Sequence, residues 1–253
     1  ENYGKNHFLK NQKIMIEFAH PNTHKLFHIG HVRNIILGDS LSRILQHSGS
    51  QIIRANYQGD VGLHIAKCLW QIKNKILNIK NKEVAPLEEK VQLLGQAYAE
   101  GNKAYESDER AKKEIHEINQ QIFEKNPHIM ALWDETRTWS LEYFNTIYER
   151  LNVRFDRLYF ESQVAEMGKT IALQAVKKGI LTKSKGAIIF EGEKYDVDTR
   201  VFINSLGIPT YEGKELGLAQ LEFTEFGALD RCIHVVAAEQ TSFFKTVFKV
   251  EEL

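Results

Sequence analysis

The chain has 253 residues, 43% of them hydrophobic, with 33 basic and 33 acidic side chains and a formal net charge of zero. That length and apolar content suit one large domain, or a domain with an insert, and exclude global disorder. Zero net charge gives no global field toward a polyanion but leaves room for local phosphate-binding patches, while the absence of any run near the roughly 18 apolar residues of a membrane span predicts no membrane attachment.

The chain opens on the polar stretch ENYGKN, without an initiator Met or a signal-peptide pattern, which predicts a segment cut from something longer. Residues 14–18 (IMIEF) predict a buried strand. After a His-rich loop, Ile29, Val32, Ile36, Leu41, Ile44 and Leu45 recur at helical steps, predicting an amphipathic helix over 29–48 with Gly49 as its C-terminal cap. Residues 51–57 (QIIRANY) predict a second strand, completing a βαβ unit with parallel strands. A helix over 61–77 follows, then a polar, basic stretch at 78–82. Residues 87–150 are rich in Glu, Lys, Gln and Ala at helical spacing, with breaks at Pro86 and at Asn126-Pro127, and predict an insert of two or three helices with a solvated charged face.

Strand character resumes at 153–160, followed by a helix over 164–178 that Gly179 stops. Residues 187–190 and 200–203 predict two antiparallel strands, and 212–223 another helix. Residues 232–238 (CIHVVAA) read as the most buried strand of the chain, with a last helix from 240 onward. The sum is an α/β domain with a parallel sheet and helices on both faces. Its predicted division is 1–77 for the first half, 78–150 for the helical insert and 151–253 for the second half. Cys68 and Cys232 lie far apart within apolar stretches and are expected to be buried, reduced core residues, as in a cytoplasmic protein.

The informative stretch is IEFAHPNTHKLFHIGHVRN, residues 16–34. A strand ends, a loop follows, and a helix begins near His28-Ile29-Gly30-His31. Unpaired N–H groups and a partial positive charge at a helix N-terminus favour an anion. His28 and His31, three apart, face one side and could both donate to a phosphate, with Lys25 adding a positive charge upstream. Gly30 leaves room for a flat ring close to the backbone. Taken alone, HxxH is equally compatible with two surface histidines. No third ligand stands at a convincing spacing and the HExxH glutamate is missing, so no metal site is expected. Neither a GxxxxGK-type loop nor a GxGxxG occurs.

The HIGH tetrapeptide after a first strand resembles the hallmark of class I aminoacyl-tRNA synthetases, and the wider string EFAHPNTHKLFHIGHVRNIILGDSLSRIL resembles the arginine-specific members. Matching positions are Glu17, Pro21, Asn22, Lys25, His28, Gly30, His31, Arg33, Gly38 and Asp39. ANYQGDVG (55–62), IPTYEGKELGLA (208–219) and HVVAAEQTSFFKTVF (234–248) resemble three further family segments, in the family's order.

That resemblance implies a Rossmann-like nucleotide-binding domain of the HIGH superfamily and an arginine–tRNA ligase acting in protein synthesis. ATP, with Mg2+ accompanying it, L-arginine and tRNA(Arg) are the implied substrates and partners. His28, His31 and Lys25 are implied to stabilise the reacting phosphate, with His28, Gly30, His31 and Glu239 binding ATP. Glu17, Tyr211 and Glu215 are implied to receive the guanidinium, and Asn22 and Gln240 the α-amino and carboxylate groups. Three positions depart from the family pattern: Glu215 and Glu239 stand where Asp is usual, and His20 replaces a small residue. The Lys-rich KMSKS signature would follow after Leu253, so the chain is expected not to complete aminoacylation. The rival readings are a small HxGH nucleotidyltransferase and a non-catalytic synthetase-like module.

Overall fold

The structure, a computed structural model, describes residues 3–76 and 85–253. The residues form two compact units, one of Glu1–Ala19, Asn34–Tyr57 and Phe155–Leu253, the other of His20–Arg33 and Gln58–Arg154. The predicted basic stretch at 78–82 and the 77/78 boundary lie outside the described residues.

The first unit is built on a four-stranded sheet. Strand β1 (Lys13–Glu17) leads through helix α1 (Ile29–His47) to β2 (Gln51–Gln58), and β1 and β2 pair in parallel, as the βαβ pattern requires. With β3 (Arg157–Phe160) and β7 (Arg231–His234), the order is β3-β2-β1-β7. β1 is central and entirely buried from Ile14 to Phe18, which explains its unbroken apolar run. The segment read as the most buried strand is instead a four-residue edge strand, only half-buried, and Cys232 on it is half-buried too. Its Val-rich continuation had mimicked a core strand, but pairing with β1 stops at His234.

Sheet register decides what each face presents. Met15 and Glu17 stand beside Cys232 and His234 on one side and beside Ile53 and Ala55 on the other, so these side chains share a face. That face is covered by α6 (Glu161–Lys177) and α7 (Tyr211–Phe226), whose Val164 and Leu218 pack on Met15, Ile53, Ala55, Tyr57 and Tyr159. α6 and α7 approach very closely: a side chain on Gly168 would collide with the Gly213 carbonyl, and one on Gly217 with the Val164 carbonyl. α1 covers the opposite face, where Gly38 lies directly against the Phe18 ring. This contact corrects the expected apolar stripe of α1. The buried positions are Ile35, Gly38 and Ser42, whereas Ile29, Ile36 and Ile44 are more than half exposed. Close approach to an aromatic ring selected small residues, which a hydrophobicity pattern does not register.

A three-stranded antiparallel sheet follows α6: β4 (Thr182–Ser184), β5 (Ala187–Phe190) and β6 (Arg200–Ile203). β5 and β6 match the sequence expectation and β4 is additional. After β7, a 3₁₀ turn at Ala238–Gln240 opens helix α8 (Thr241–Glu252).

The second unit is helical: α2 (Leu63–Ile76), α3 (Leu87–Ser107), α4 (Glu109–Phe123) and α5 (Pro127–Arg150). Asn126 caps α5 ahead of Pro127, as the sequence signals. Asp108 caps α4 by accepting from the Arg110 and Ala111 amides, a break that the charged composition concealed. Among the described residues no helix is long and apolar enough to cross a membrane.

Candidate functional site

Two groups of predicted residues fall in the two units. The first is the loop after β1. Ala19, His20 and His24 all have positive φ, at 83°, 51° and 63°. Such backbone costs on the order of 1–3 kcal/mol per non-glycine residue and persists only where the surroundings impose it. Contacts within the second unit hold the His20–Arg33 part of the loop. The His24 amide donates to Ser140 at 2.9 Å and its ring bonds Thr23 and Thr136. The Phe27 ring packs edge-on against Phe144 and Tyr148, and Lys25 Nζ lies 4.7 Å above the Tyr98 ring. Asn22 pairs with Gly59, whose missing side chain makes way for the Asn22 amide. The helices read as a mere connection therefore hold this loop in shape.

His28 and His31 stack with centroids 3.8 Å apart, and the His28 amide donates to His31 Nδ1 at 3.2 Å. Gly30 lies against the His28 ring, and a side chain there would crowd it. Burial, reinforced by His28, His20 and Lys25, pushes His31 down to about 4. At neutral pH it is an uncharged imidazole that donates through a single N–H.

His24 gives a pH-dependent prediction. Burial, with Arg137 adding, lowers its pKa from 6.5 to about 3. An unfolded chain therefore binds a proton between those values that the folded one refuses, so the contribution is complete above pH 6.5 and lost as pH falls toward 3. Stability is expected to drop by up to about 1.4 kcal/mol per pH unit in that window from this residue. Urea unfolding at pH 7 and pH 5 should show the slope, and His24→Gln should reduce it by one proton.

The second group lies in the first unit. Glu17 ends β1 and is 1% exposed, and Glu215, one turn into α7 from Tyr211, is 3% exposed. His234 Nδ1 meets Glu17 Oε1 at 3.0 Å, following from their pairing in register. Ligand atoms of Glu17, Glu215 and His234 all lie within 4.8 Å of one another, a spacing that one cationic group could bridge. Burial disfavours the imidazolium of His234, but the Glu17 carboxylate outweighs it and holds the ring protonated well above the usual range. Phe244 and Phe248 of α8 close over that ring. Glu215 is pushed upward by burial and by the Glu17 charge. Tyr211, 44% exposed, stands at the rim, with Lys214 Nζ 5.1 Å from its ring. Lys214 itself pairs with the buried Glu161 at 2.5 Å.

Glu17, Tyr211 and Glu215 are thus brought together, whereas Glu239 and Gln240 are exposed on their 3₁₀ turn and share no described contact with them. Sequence reasoning assigned no role to His234, Cys232, Glu222 or the Lys214–Glu161 pair. The signals were present. Cys232 and His234 alternate onto one strand face, and Glu215 and Glu222 are two helical turns apart.

Residues 1–252 match the family described as tRNA synthetases class I (R), catalytic domain. An arginine–tRNA ligase of Borrelia garinii subsp. bavariensis is 35% identical over the whole chain, which covers 44% of that protein. One from Bdellovibrio bacteriovorus is 35% identical over 96% of the chain and 42% of its own length. The chain thus spans less than half the length of these curated relatives. The fold matches a crystal structure of arginyl-tRNA synthetase from Plasmodium falciparum with a TM-score of 0.75 at 24% identity, covering 97% of this chain and 41% of that one. The Thermus thermophilus arginyl-tRNA synthetase follows at 0.64 and 23%, covering 90% and 38%.

Proposed function

Because the chain belongs to the catalytic-domain family of class I arginine tRNA synthetases, we propose that it forms the part of an arginyl-tRNA synthetase that binds arginine and ATP. The arginine carboxylate attacks the α-phosphate of ATP, giving arginyl-adenylate and pyrophosphate, and the arginyl group then passes to the terminal adenosine of tRNA(Arg). The attacking carboxylate is already a nucleophile, so alignment and charge stabilisation carry the catalysis. Lys25 supplies positive charge toward the phosphates; His28 and the neutral His31 supply N–H donors. Gly30 lies against adenine, Glu239 binds the ribose, and Mg2+ arrives with ATP. The reading needs no protein-bound metal.

Arginine recognition is the better supported half. A guanidinium is a rigid fork of five donors that stays charged, and it matches carboxylates bidentately. Glu17 and Glu215, buried beside the half-exposed Tyr211, supply such a receptor. Asn22 and Gln240 take the α-amino and carboxylate ends. This acidic pocket is the observation that carries the proposal, and it favours arginine over the nucleotidyltransferase alternative. Calorimetric titration of arginine, lysine and citrulline, with a non-hydrolysable ATP analogue present, is expected to give selective binding of arginine. Equal binding of all three, or nucleotide binding without any amino acid, would count against it.

A further inference from the structure

Glu222 lies two turns beyond Glu215 on α7, is 2% exposed, and has no role in the reading above. The Glu17 charge on β1 acts on its carboxyl. Cys232 Sγ on β7 lies 3.8 Å from Glu222 Oε2 and 3.7 Å from His234 Nε2. Glu17, His234, Cys232 and Glu222 therefore form a continuous chain of contacts. Glu215 faces it from the same helix, Tyr159 from β3, and Glu251 faces Glu17 and His234 from α8. Among the described residues no donor reaches Glu222 Oε1.

Two chemical constraints follow. Cys232 Sγ reaches only Oε2 of Glu222, so an ionised Glu222 would leave a buried charged oxygen with no donor among the described residues. Among the described residues, the buried carboxylates Glu17, Glu215 and Glu222 also gather around His234, while the nearby Lys214 pairs with Glu161. Like charges in one buried site do not all ionise.

We propose that Glu222 holds a proton in the ligand-free protein and that a guanidinium entering beside Glu17 and Glu215 expels it to solvent. The balance is one cation in and one proton out, so the pocket keeps its charge. Burial, with Glu17 adding, raises the Glu222 carboxyl far above the ordinary range, in the direction this exchange needs. The identity of the guest rests on the arginine reading; the proton does not. The bound state carries fewer protons, so arginine affinity should rise with pH, by up to tenfold per unit while Glu222 is protonated in the free protein. Citrulline, being neutral, cannot make the exchange, which makes Glu222 a specificity determinant as well as a proton store.

Infrared spectroscopy tests this directly. At pH 7 the protein should show the carbonyl stretch of a protonated carboxylic acid, with a component lost in Glu222→Gln and kept in Glu215→Gln. Arginine, or guanidinium ion alone, should bleach it. No such band in the unmodified protein, or a band indifferent to Glu222→Gln in a variant with unchanged circular dichroism, would overturn the proposal. Failure of both guests to bleach the band would overturn the exchange, and calorimetry on the same sample then separates the causes. Arginine heat without bleaching leaves the arginine reading standing, whereas no heat counts against that reading too. Bleaching by Zn2+ alone would make the guest a metal ion and overturn the proposal as stated.

Discussion

Glu17→Gln is expected to weaken arginine binding by about 10²- to 10³-fold, the cost of removing one partner of a buried, hydrogen-bonded charge pair. The loss is larger than that of a rim residue because two cations depend on this carboxylate. One is the incoming guanidinium. The other is His234, whose Nδ1 it holds at 3.0 Å and whose proton it stabilises against burial. In the variant the largest influence favouring its charge is gone, so burial dominates and the ring should turn neutral. Titration of arginine by calorimetry gives the affinity, and the His234 ring resonances followed by NMR against pH give its protonation. Unchanged arginine affinity would remove Glu17 from the pocket, whereas lost affinity with His234 still charged at neutral pH would disprove the pairing as the source of its charge.

The second large effect concerns stability. Lys214→Ala should destabilise the protein by about 3–5 kcal/mol, because it leaves Glu161 charged, buried and without its counter-ion. Both side chains are almost wholly buried, and their ion pair joins the N-terminus of α6 to the first turn of α7. The two helices are in backbone contact there, at Gly168 and Gly213, so there is little room for water to enter and solvate the orphan. The paired replacement Glu161→Leu with Lys214→Met should recover most of that loss, since an apolar pair of similar volume carries no desolvation cost. Urea denaturation of the unmodified protein and the two variants decides it. A double variant as unstable as Lys214→Ala would mean that the charges themselves, and not the unpaired remainder, stabilise the fold. Tyr211 and Glu215 flank Lys214, so the double variant would also report whether this pair positions the arginine pocket.

Much of the framework was legible because it is local. β1, β5 and β6 followed from short apolar runs, α1 from its period and Gly49, and α5 from Asn126-Pro127. The HIGH segment was legible as a motif, and Lys25, Asn22 and Glu17 were attached to it by the family resemblance. Less legible was whatever depends on partners distant in sequence. The Glu17–His234 contact spans 217 positions, and nothing in either neighbourhood predicts it. The face of α1 was misread for a related reason: Gly38 meets Phe18, and only three-dimensional contact shows that a glycine marks the buried side. β7 was overestimated because burial and strand pairing are different properties, and its valines lie beyond the last pairing with β1.

The outer strands of the sheet, β3 and β7, are four residues each. An exposed strand border is where separate molecules zip together into aggregates, and brevity with charge is the usual safeguard. Arg157, clasped by Glu225, stands on one border, and Asp230 and Arg231 stand at the other. Substitutions that neutralise these positions should therefore reveal themselves first as precipitation during expression and concentration, before any change in ligand affinity is seen.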